Sequence, residues 1–215
     1  MKMSKRATKS TLSDINGILE ISDSYQAPQR LMEILIDPEK SKKCFFEFMK
    51  YFDFDFSYDW FFEYFQEEHA DRKSKKQDFT PSSVCKLLSQ LIDSGERKDT
   101  DYTIIEEPAA GTGGNVIARW YEKNRECRYI WNYSPDDYLY ICTELSSKTV
   151  PFLIFNIMIR GINAIVIHGD SLTRKAKNIF WIYNESNNAM GFSEIYAVPH
   201  TEKSAEMFGV IWENE

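Results

Sequence analysis

The sequence predicts an α/β fold in which a doubly wound, mostly parallel sheet follows an N-terminal helical segment. Three observations lead to this prediction. From residue 102 onward, short apolar runs alternate with stretches of helical periodicity. A glycine-rich loop at residues 108–114 separates the first apolar run from the next helix. Before residue 76, in contrast, aromatic residues recur at helical spacing. Alternating strands and helices are typical of a parallel sheet with right-handed crossovers.

The composition is typical of a globular intracellular protein. The 215 residues are 43% hydrophobic and 15% aromatic, which is enough for a packed core. No apolar run is long enough to span a bilayer and no apolar signal segment follows the basic start, so we expect a cytoplasmic protein without membrane contact. The four cysteines form no CxxC pair, and no metal site is predicted. The net charge of -7 argues against tight, independent binding of duplex DNA.

Residues 1–76 are predicted to form a polar arm and an aromatic-rich helical segment. Helical periodicity occurs in three stretches: residues 14–36 with a break near Ala27, Pro38 to about Phe52, and residues 58–69. Between the last two, Phe and Asp alternate over residues 52–56, which indicates a short extended stretch. Because the aromatic residues follow helical spacing, we interpret them as core residues rather than as a base-stacking surface.

Residues 77–215 are predicted to form the second domain. Thr80 is expected to cap a helix that begins at Pro81 and ends at Gly95. The predicted apolar face of this helix consists of Val84, Leu87, Leu88, Leu91 and Ile92. The strand candidates are residues 102–107, 138–143, 164–168, 178–183, 195–198 and 208–212, and the helices between the first three are residues 115–123 and 147–159.

The glycine loop after the first strand is a candidate ligand site. Backbone amides of such a loop can approach a ligand closely, at the N-terminus of the helix that follows. The sequence has no Gly-Lys-Ser/Thr as in a P-loop, and Gly111-Thr112-Gly113-Gly114 does not have GxGxxG spacing. Glu107 precedes the loop, where its charge would repel a pyrophosphate but suits a ligand that carries an ammonium group.

Three successive strands end in an acidic residue: Glu107, Glu144 and Asp170. Ligands of doubly wound sheets bind at the carboxyl ends of the strands. The second acid can bind a ribose diol, and the third can accept a hydrogen bond from the exocyclic amine of adenine. Any single acid would more often cap a helix. The three together, in this order beside a glycine loop, indicate a site for S-adenosyl-L-methionine (SAM).

Residues 77–172 resemble the N6-adenine DNA methyltransferases, specifically the modification (M) subunit of type I restriction systems. The stretches that carry the resemblance are Gln77-Asp78-Phe79-Thr80-Pro81, residues 107–114, Glu144-Leu145, residues 156–161 and His168-Gly169-Asp170-Ser171-Leu172. The resemblance implies a Rossmann-like, SAM-dependent methyltransferase fold. The cofactor-binding residues that it implies are Phe79, Thr80, Pro81, Glu107, Pro108, Ala109, Gly111, Thr112, Gly113, Glu144, Leu145, Asp170 and Leu172.

The sequence departs from the family pattern after the fourth strand. The family's catalytic motif there is Asn/Asp-Pro-Pro-Tyr/Phe, which holds the amino group of a flipped adenine. This chain has Asn184-Glu185-Ser186-Asn187 at the corresponding place and contains no Pro-Pro dipeptide. Only about 30 residues follow, which we interpret as a truncation relative to the family.

Three functional hypotheses stay open. In the first, the chain is a site-specific DNA adenine-N6 methyltransferase of a restriction-modification system. Asn184 is then catalytic, Glu185 is an unconventional acceptor, and DNA binding depends on a partner specificity subunit. In the second, the chain is a pseudoenzyme that binds SAM and acts through protein contacts as an accessory or antagonist of a restriction or defence complex. In the third, its role is purely structural, with the aromatic N-terminal segment contacting a partner.

Overall fold

The computed structural model describes residues 11–65, 80–93, 102–127 and 132–213. The α-helices are α1 (Thr11–Leu19), α2 (Ala27–Leu35), α3 (Pro38–Tyr51), α4 (Ser82–Asp93), α5 (Gly114–Glu126), α6 (Val150–Met158) and α7 (Glu202–Phe208). The strands are β1 (Thr103–Glu107), β2 (Tyr138–Glu144), β3 (Ala164–Gly169), β4 (Lys175–Tyr183), β5 (Glu194–Ala197) and β6 (Ile211–Trp212). The expected α/β fold is confirmed. The domain boundary expected at residue 76, Phe79 and Gly95 lie outside the described residues.

The sheet is mixed, with the order β1-β2-β3-β4-β5 and β6 paired to β4. Strands β1, β2 and β3 are parallel, as predicted, and α5 and α6 form the crossovers between them. The fourth strand departs from this parallel pattern, because β4 runs antiparallel to β3 and β5 antiparallel to β4. The physical reason is the length of the connection. Only residues 170–174 join β3 to β4, whereas a parallel crossover needs about a dozen residues or more.

Helix α6 lies between the sheet and the N-terminal helices. Each of its residues is buried, and it contacts α2 on one side and β3 and β4 on the other. Aromatic side chains of α3 pack directly on it, with the ring centroid of Phe48 4.6 Å from that of Phe155 and Phe45 5.1 Å from the same ring. The interpretation of the aromatic segment as core is therefore confirmed for the described residues. One hydrophobic core joins residues 11–65 to the sheet.

Two local predictions in the N-terminal half are wrong. Residues 52–56 form turns rather than an extended stretch, with φ of +52° at Asp53 and +58° at Phe54. The turn lets Trp60 pack back on Phe52, with ring centroids 4.8 Å apart. The residues of α4 predicted as its core face are instead exposed: Val84, Leu87, Leu88 and Leu91. The buried residues of α4 are the small Cys85 and Ser89, and small side chains let the helix pack closely on α5.

Of the strand predicted at residues 208–212, only the last two residues are a strand in the structure. Residues 202–208 form α7, which begins after a capping box between Thr201 and Ser204. The helix ends at Gly209, whose φ is +62°, and only Ile211–Trp212 pairs with β4. The helix is short and its apolar periodicity is weak, which explains why the sequence pattern did not indicate it.

Candidate functional site

The glycine loop connects the end of β1 to the start of α5. Gly111 and Gly113 have φ of +56° and +100°, a region of backbone conformation that favours glycine. Gly113 immediately precedes α5, and a Cβ atom at this position would lie 3.1 Å from Cδ1 of Leu153. The loop therefore turns sharply and packs closely on α6.

Glu144 holds the glycine loop against the end of β2. Its carboxylate accepts hydrogen bonds from the backbone amides of Gly111 and Ser146, both at 2.8 Å. The amide of Ala110 donates to the carbonyl oxygen of Thr143 at 2.9 Å. Glu144 is only 8% exposed. Each of its two carboxylate oxygens thus already accepts one amide hydrogen, and its role in the structure is to fix the loop.

A buried carboxylate supports the same loop from the N-terminal segment. The hydroxyl of Thr112 donates to Oδ2 of Asp59. The Nδ2 of Asn156 donates to Oδ1 of Asp59 and to the carbonyl oxygen of Thr112, both at 2.8 Å. Burial raises the pKa of Asp59, although these hydrogen bonds and the one from the Phe61 amide oppose the rise.

Arg160 extends this network to the turn before Asp59. Its Nη1 donates to Oδ1 of Asn156 at 2.9 Å, and its Nε and Nη2 donate to the carbonyl oxygens of Phe56 and Tyr58 at 3.1 and 2.7 Å. Burial lowers the pKa of Arg160 to about 9, with the charge of Asp59 acting in the opposite direction. Sequence reasoning missed Asp59 because it precedes the loop by more than 50 residues. A single acid between Tyr58 and Trp60 was the available signal.

Two of the three strand-end acids line one cleft. The cleft has a volume of about 710 Å³, and its lining includes Glu107, Pro108, Asp170, Ser171 and Arg174. Oε2 of Glu107 accepts a hydrogen bond from Nδ2 of Asn115 at 3.0 Å. The rest of the lining is mixed: Ile141, Ile167, Phe208 and Val210 are apolar, whereas Glu106, Thr143 and Lys175 are polar or charged.

Asp170 lies in the tight turn between β3 and β4. Its Oδ1 accepts from the amides of Leu172 and Thr173 at 2.8 and 3.4 Å. The hydrogen bond from the Leu172 amide, followed by that from the Thr173 side chain, lowers the pKa of Asp170. The carboxylate therefore stays ionised at neutral pH while it faces the cleft.

A smaller cleft of about 400 Å³ lies on the other side of the loop. Its lining includes Asp59, Thr80, Ala109, Gly111 and Thr112. The structure therefore brings the predicted residues Thr80, Ala109, Gly111 and Thr112 together around the loop, beside Asp59. Leu145 and Leu172 do not line either cleft and are 62% and 93% exposed, while Pro81 is exposed before the first turn of α4.

Asn184 lies at the opposite edge of the sheet. Because β4 is antiparallel to β3, its last residues are beside the start of β3, and the amide of Asn184 donates to Oδ1 of Asn163 at 2.7 Å. Its own Nδ2 donates to the carbonyl oxygens of Gly161 and Asn188 at 3.2 and 2.8 Å, and the residue is fully buried. Asn184 follows the fourth strand, as predicted, but the end of that strand does not lie beside the glycine loop.

Within the described parts of the chain, no group of three or more His, Cys, Asp or Glu side chains is arranged to hold a metal ion. The described helices are also too short or too polar to cross a bilayer.

The parallel strands, the crossovers and the cleft at the carboxyl ends define a Rossmann-like α/β protein of the methyltransferase type. Residues 53–206 match the family model described as N-6 DNA Methylase. The match covers more than half of the 215 residues, and the chain therefore belongs to this family. It includes the segment around Asp59, the glycine loop and strands β1 to β5. No curated protein sequence matches the chain.

Proposed function

We propose that this chain binds SAM at the carboxyl ends of β1, β2 and β3. The observation that carries the proposal is the shared cleft of Glu107, Pro108 and Asp170 beside the glycine loop, in a chain of the N-6 DNA methylase family. Members of this family generally use SAM as the methyl donor. When bound, SAM would supply an electrophilic methyl group on its sulfonium.

The side chains of this edge fit the cofactor in charge and hydrogen-bonding type. Glu107 offers a carboxylate to the ammonium group of the methionine part. Asp170 offers an ionised acceptor to the exocyclic amine of adenine. Glu144 already accepts the amides of Gly111 and Ser146, so a ribose diol would use its remaining lone pairs. Leu145 and Leu172 are exposed on the same edge, and the family resemblance assigns them to the adenine ring.

We further propose that the chain alone does not methylate adenine. N6 methylation requires acceptors that hold the target amine beside the sulfonium methyl group. Asn184, the residue that the sequence suggested for this role, is buried at the amino ends of the parallel strands. This location favours the second hypothesis, a SAM-binding accessory or antagonist of a restriction or defence complex. Contact with DNA would then be made through a partner specificity subunit.

Calorimetry with SAM and S-adenosylhomocysteine tests the binding proposal. We expect Asp170→Asn to weaken binding about tenfold or more, because a charged acceptor is lost. Asp37→Asn is the matched control, since Asp37 also accepts from amides two and three residues later, at the start of α3. The control should bind as the wild type does. Absence of heat with either ligand, from folded wild-type protein, would contradict the proposal.

A methyl-transfer assay tests the second part. The wild type and Asn184→Ala are incubated with tritium-labelled SAM and adenine-containing duplex DNA. We expect no label in the DNA from either protein alone. Incorporation by the wild type would refute the proposal, and its loss in a folded Asn184→Ala protein would restore a catalytic role for Asn184.

A further inference from the structure

Among the described residues, the face of the sheet opposite α5 and α6 is covered at one end only. There, α7 and β6 pack over Ile167 and Ile179. Ile141 and Ile165 are half-buried against this covered cluster. They are direct neighbours of each other on adjacent strands, and Trp181 and then Tyr196 continue the same row. Directly paired residues point to the same side of a sheet. The row therefore forms one continuous surface across four strands.

A second row lies beside the first, nearer the amino ends of the parallel strands. Ile104 pairs with Leu139, and Tyr183 belongs to the same face as Trp181, two residues earlier in β4. We define the exposed sheet face as the two rows together: Ile104, Leu139, Ile141, Ile165, Trp181, Tyr183 and Tyr196. Ile104 is 50% exposed, Trp181 48% and Tyr196 38%.

Large apolar side chains in a contiguous exposed surface indicate an interaction site. Sheets with parallel strands also normally have both faces covered. In this chain α5 and α6 cover one face, whereas the described residues leave much of the other accessible. The exposed sheet face thus has the composition and shape of a surface on which a helix packs.

The aromatic end of this face is acidic. The hydroxyl of Tyr196 donates to Glu185 and, at 3.1 Å, to Glu194. Asp136 lies close enough to Tyr183 to raise the pKa of its hydroxyl by charge and hydrogen bonding. The ring of Trp181 lies 5.6 Å from that of Tyr183 and 6.0 Å from that of Tyr196. The lysines of β4, Lys175 and Lys177, lie at its other end, on the far side of Ile179.

We propose that the exposed sheet face binds an amphipathic helix of a partner protein, with lysine or arginine residues along the side that meets Asp136, Glu185 and Glu194. An apolar helical stripe would cover the isoleucines. A cation beside it would lie over the electron-rich ring of Trp181 and near the carboxylates. A nucleic acid would be repelled by these carboxylates. The proposal does not rest on SAM binding, although Ile141 also lines the cleft proposed for SAM.

The test uses a fluorescently labelled synthetic helix of leucine and lysine, and a second peptide with glutamate in place of each lysine. We expect the full-length protein to bind the lysine peptide, more weakly as salt increases, and to bind the glutamate peptide at least tenfold more weakly. Trp181→Ala should weaken binding of the lysine peptide at least tenfold. The double variant Glu185→Lys/Glu194→Lys should have the same effect and provides an independent check, since both residues are exposed.

Matched controls carry the same changes elsewhere on the surface. Tyr25→Ala removes an aromatic side chain that is 63% exposed, and Glu39→Lys/Glu47→Lys reverses two exposed charges of α3. Both controls should bind the lysine peptide as the wild type does. Equal binding of the two peptides, or unchanged binding by folded Trp181→Ala and by the double variant, would overturn the proposal. Two other results would also overturn the proposal. If sedimentation showed a dimer that Trp181→Ala abolishes, the face would bind a second copy of the chain. If the protein bound an oligonucleotide and Trp181→Ala abolished this binding, the face would bind nucleic acid.

Discussion

The two edges of the sheet each carry a polar loop, and the two loops are built differently. At the carboxyl edge, Glu107 and Asp170 keep their carboxylates on an open cleft, while Asp59 and Glu144 hold the loop from within. At the amino edge, the side chain of Asn184 is fully buried and bonds to carbonyl oxygens of its own surroundings. Polar groups that face a cleft are available to a ligand, whereas those that are already hydrogen-bonded to the backbone maintain the fold.

Some variants distinguish residues that support the glycine loop from residues that face the cleft. Among these, Asp59→Ala should have the largest effect on stability. It removes the carboxylate whose charge acts most strongly on the buried Arg160, and it leaves Thr112 without its acceptor. We expect the free energy of unfolding to fall by about 3–5 kcal/mol. Urea denaturation measures this change. Asp55→Ala is the control, because Asp55 is exposed, accepts a hydrogen bond from the amide of Ser57, and acts on Arg160 through its charge less strongly than Asp59 does. Similar losses for the two variants would contradict the supporting role of Asp59.

Asn184→Ala should lower the free energy of unfolding by about 1–3 kcal/mol, because buried carbonyl oxygens lose their donors. The affinity of the remaining folded protein for SAM should be unchanged. Asn115→Ala provides the opposite case at the carboxyl edge. Asn115 donates to Glu107 beside the cleft, so its loss should weaken SAM binding more than it lowers stability. If calorimetry and urea denaturation gave the same pattern for both variants, the contrast between the edges would be wrong.

Glu144→Gln distinguishes a loop anchor from a ligand-binding acid. Glutamine keeps one acceptor oxygen, so one of the two amide hydrogen bonds is lost. We expect a fall of about 1–2 kcal/mol in the free energy of unfolding even without SAM. Glu107→Gln, which removes a charge that does not bond to the loop amides, should change stability less. Hydrogen exchange at the amide of Gly111 would report the loss directly.

The smallest expected effect concerns pH and His168, at the end of β3. Burial, and then the charge of Lys177, lowers its pKa from the ordinary value of 6.5. Below pH 6.5 the unfolded chain therefore takes up a proton that the folded chain does not. The contribution of His168 to the free energy of unfolding should be fully present above pH 6.5. It should decrease below this pH, by no more than about 1.4 kcal/mol for each pH unit. Denaturation at pH 7.5 and 5.5 measures the slope, and His168→Gln should reduce it.

The sequence was informative where short-range patterns decide the structure. The apolar runs before Pro108 and Gly169, and the glycines between β1 and α5, predicted three parallel strands and their crossovers to within a few residues. The pattern did not predict that β4 is antiparallel to β3. The connection of residues 170–174 would have indicated it, because it is too short for a parallel crossover. The part played by Asp59 was not predictable, because it depends on tertiary contact between segments far apart in the chain.

The burial of α6 between two layers has a consequence for how the protein opens. Its amide hydrogens cannot reach solvent unless the N-terminal helices separate from the sheet. Asn156, on this helix, bonds to both Asp59 and the carbonyl oxygen of Thr112. Detachment of the N-terminal layer therefore also takes Asp59 away from Thr112 and so removes one of the contacts that hold the glycine loop. A ligand held by that loop would slow deuterium uptake throughout α6, a helix that it does not touch.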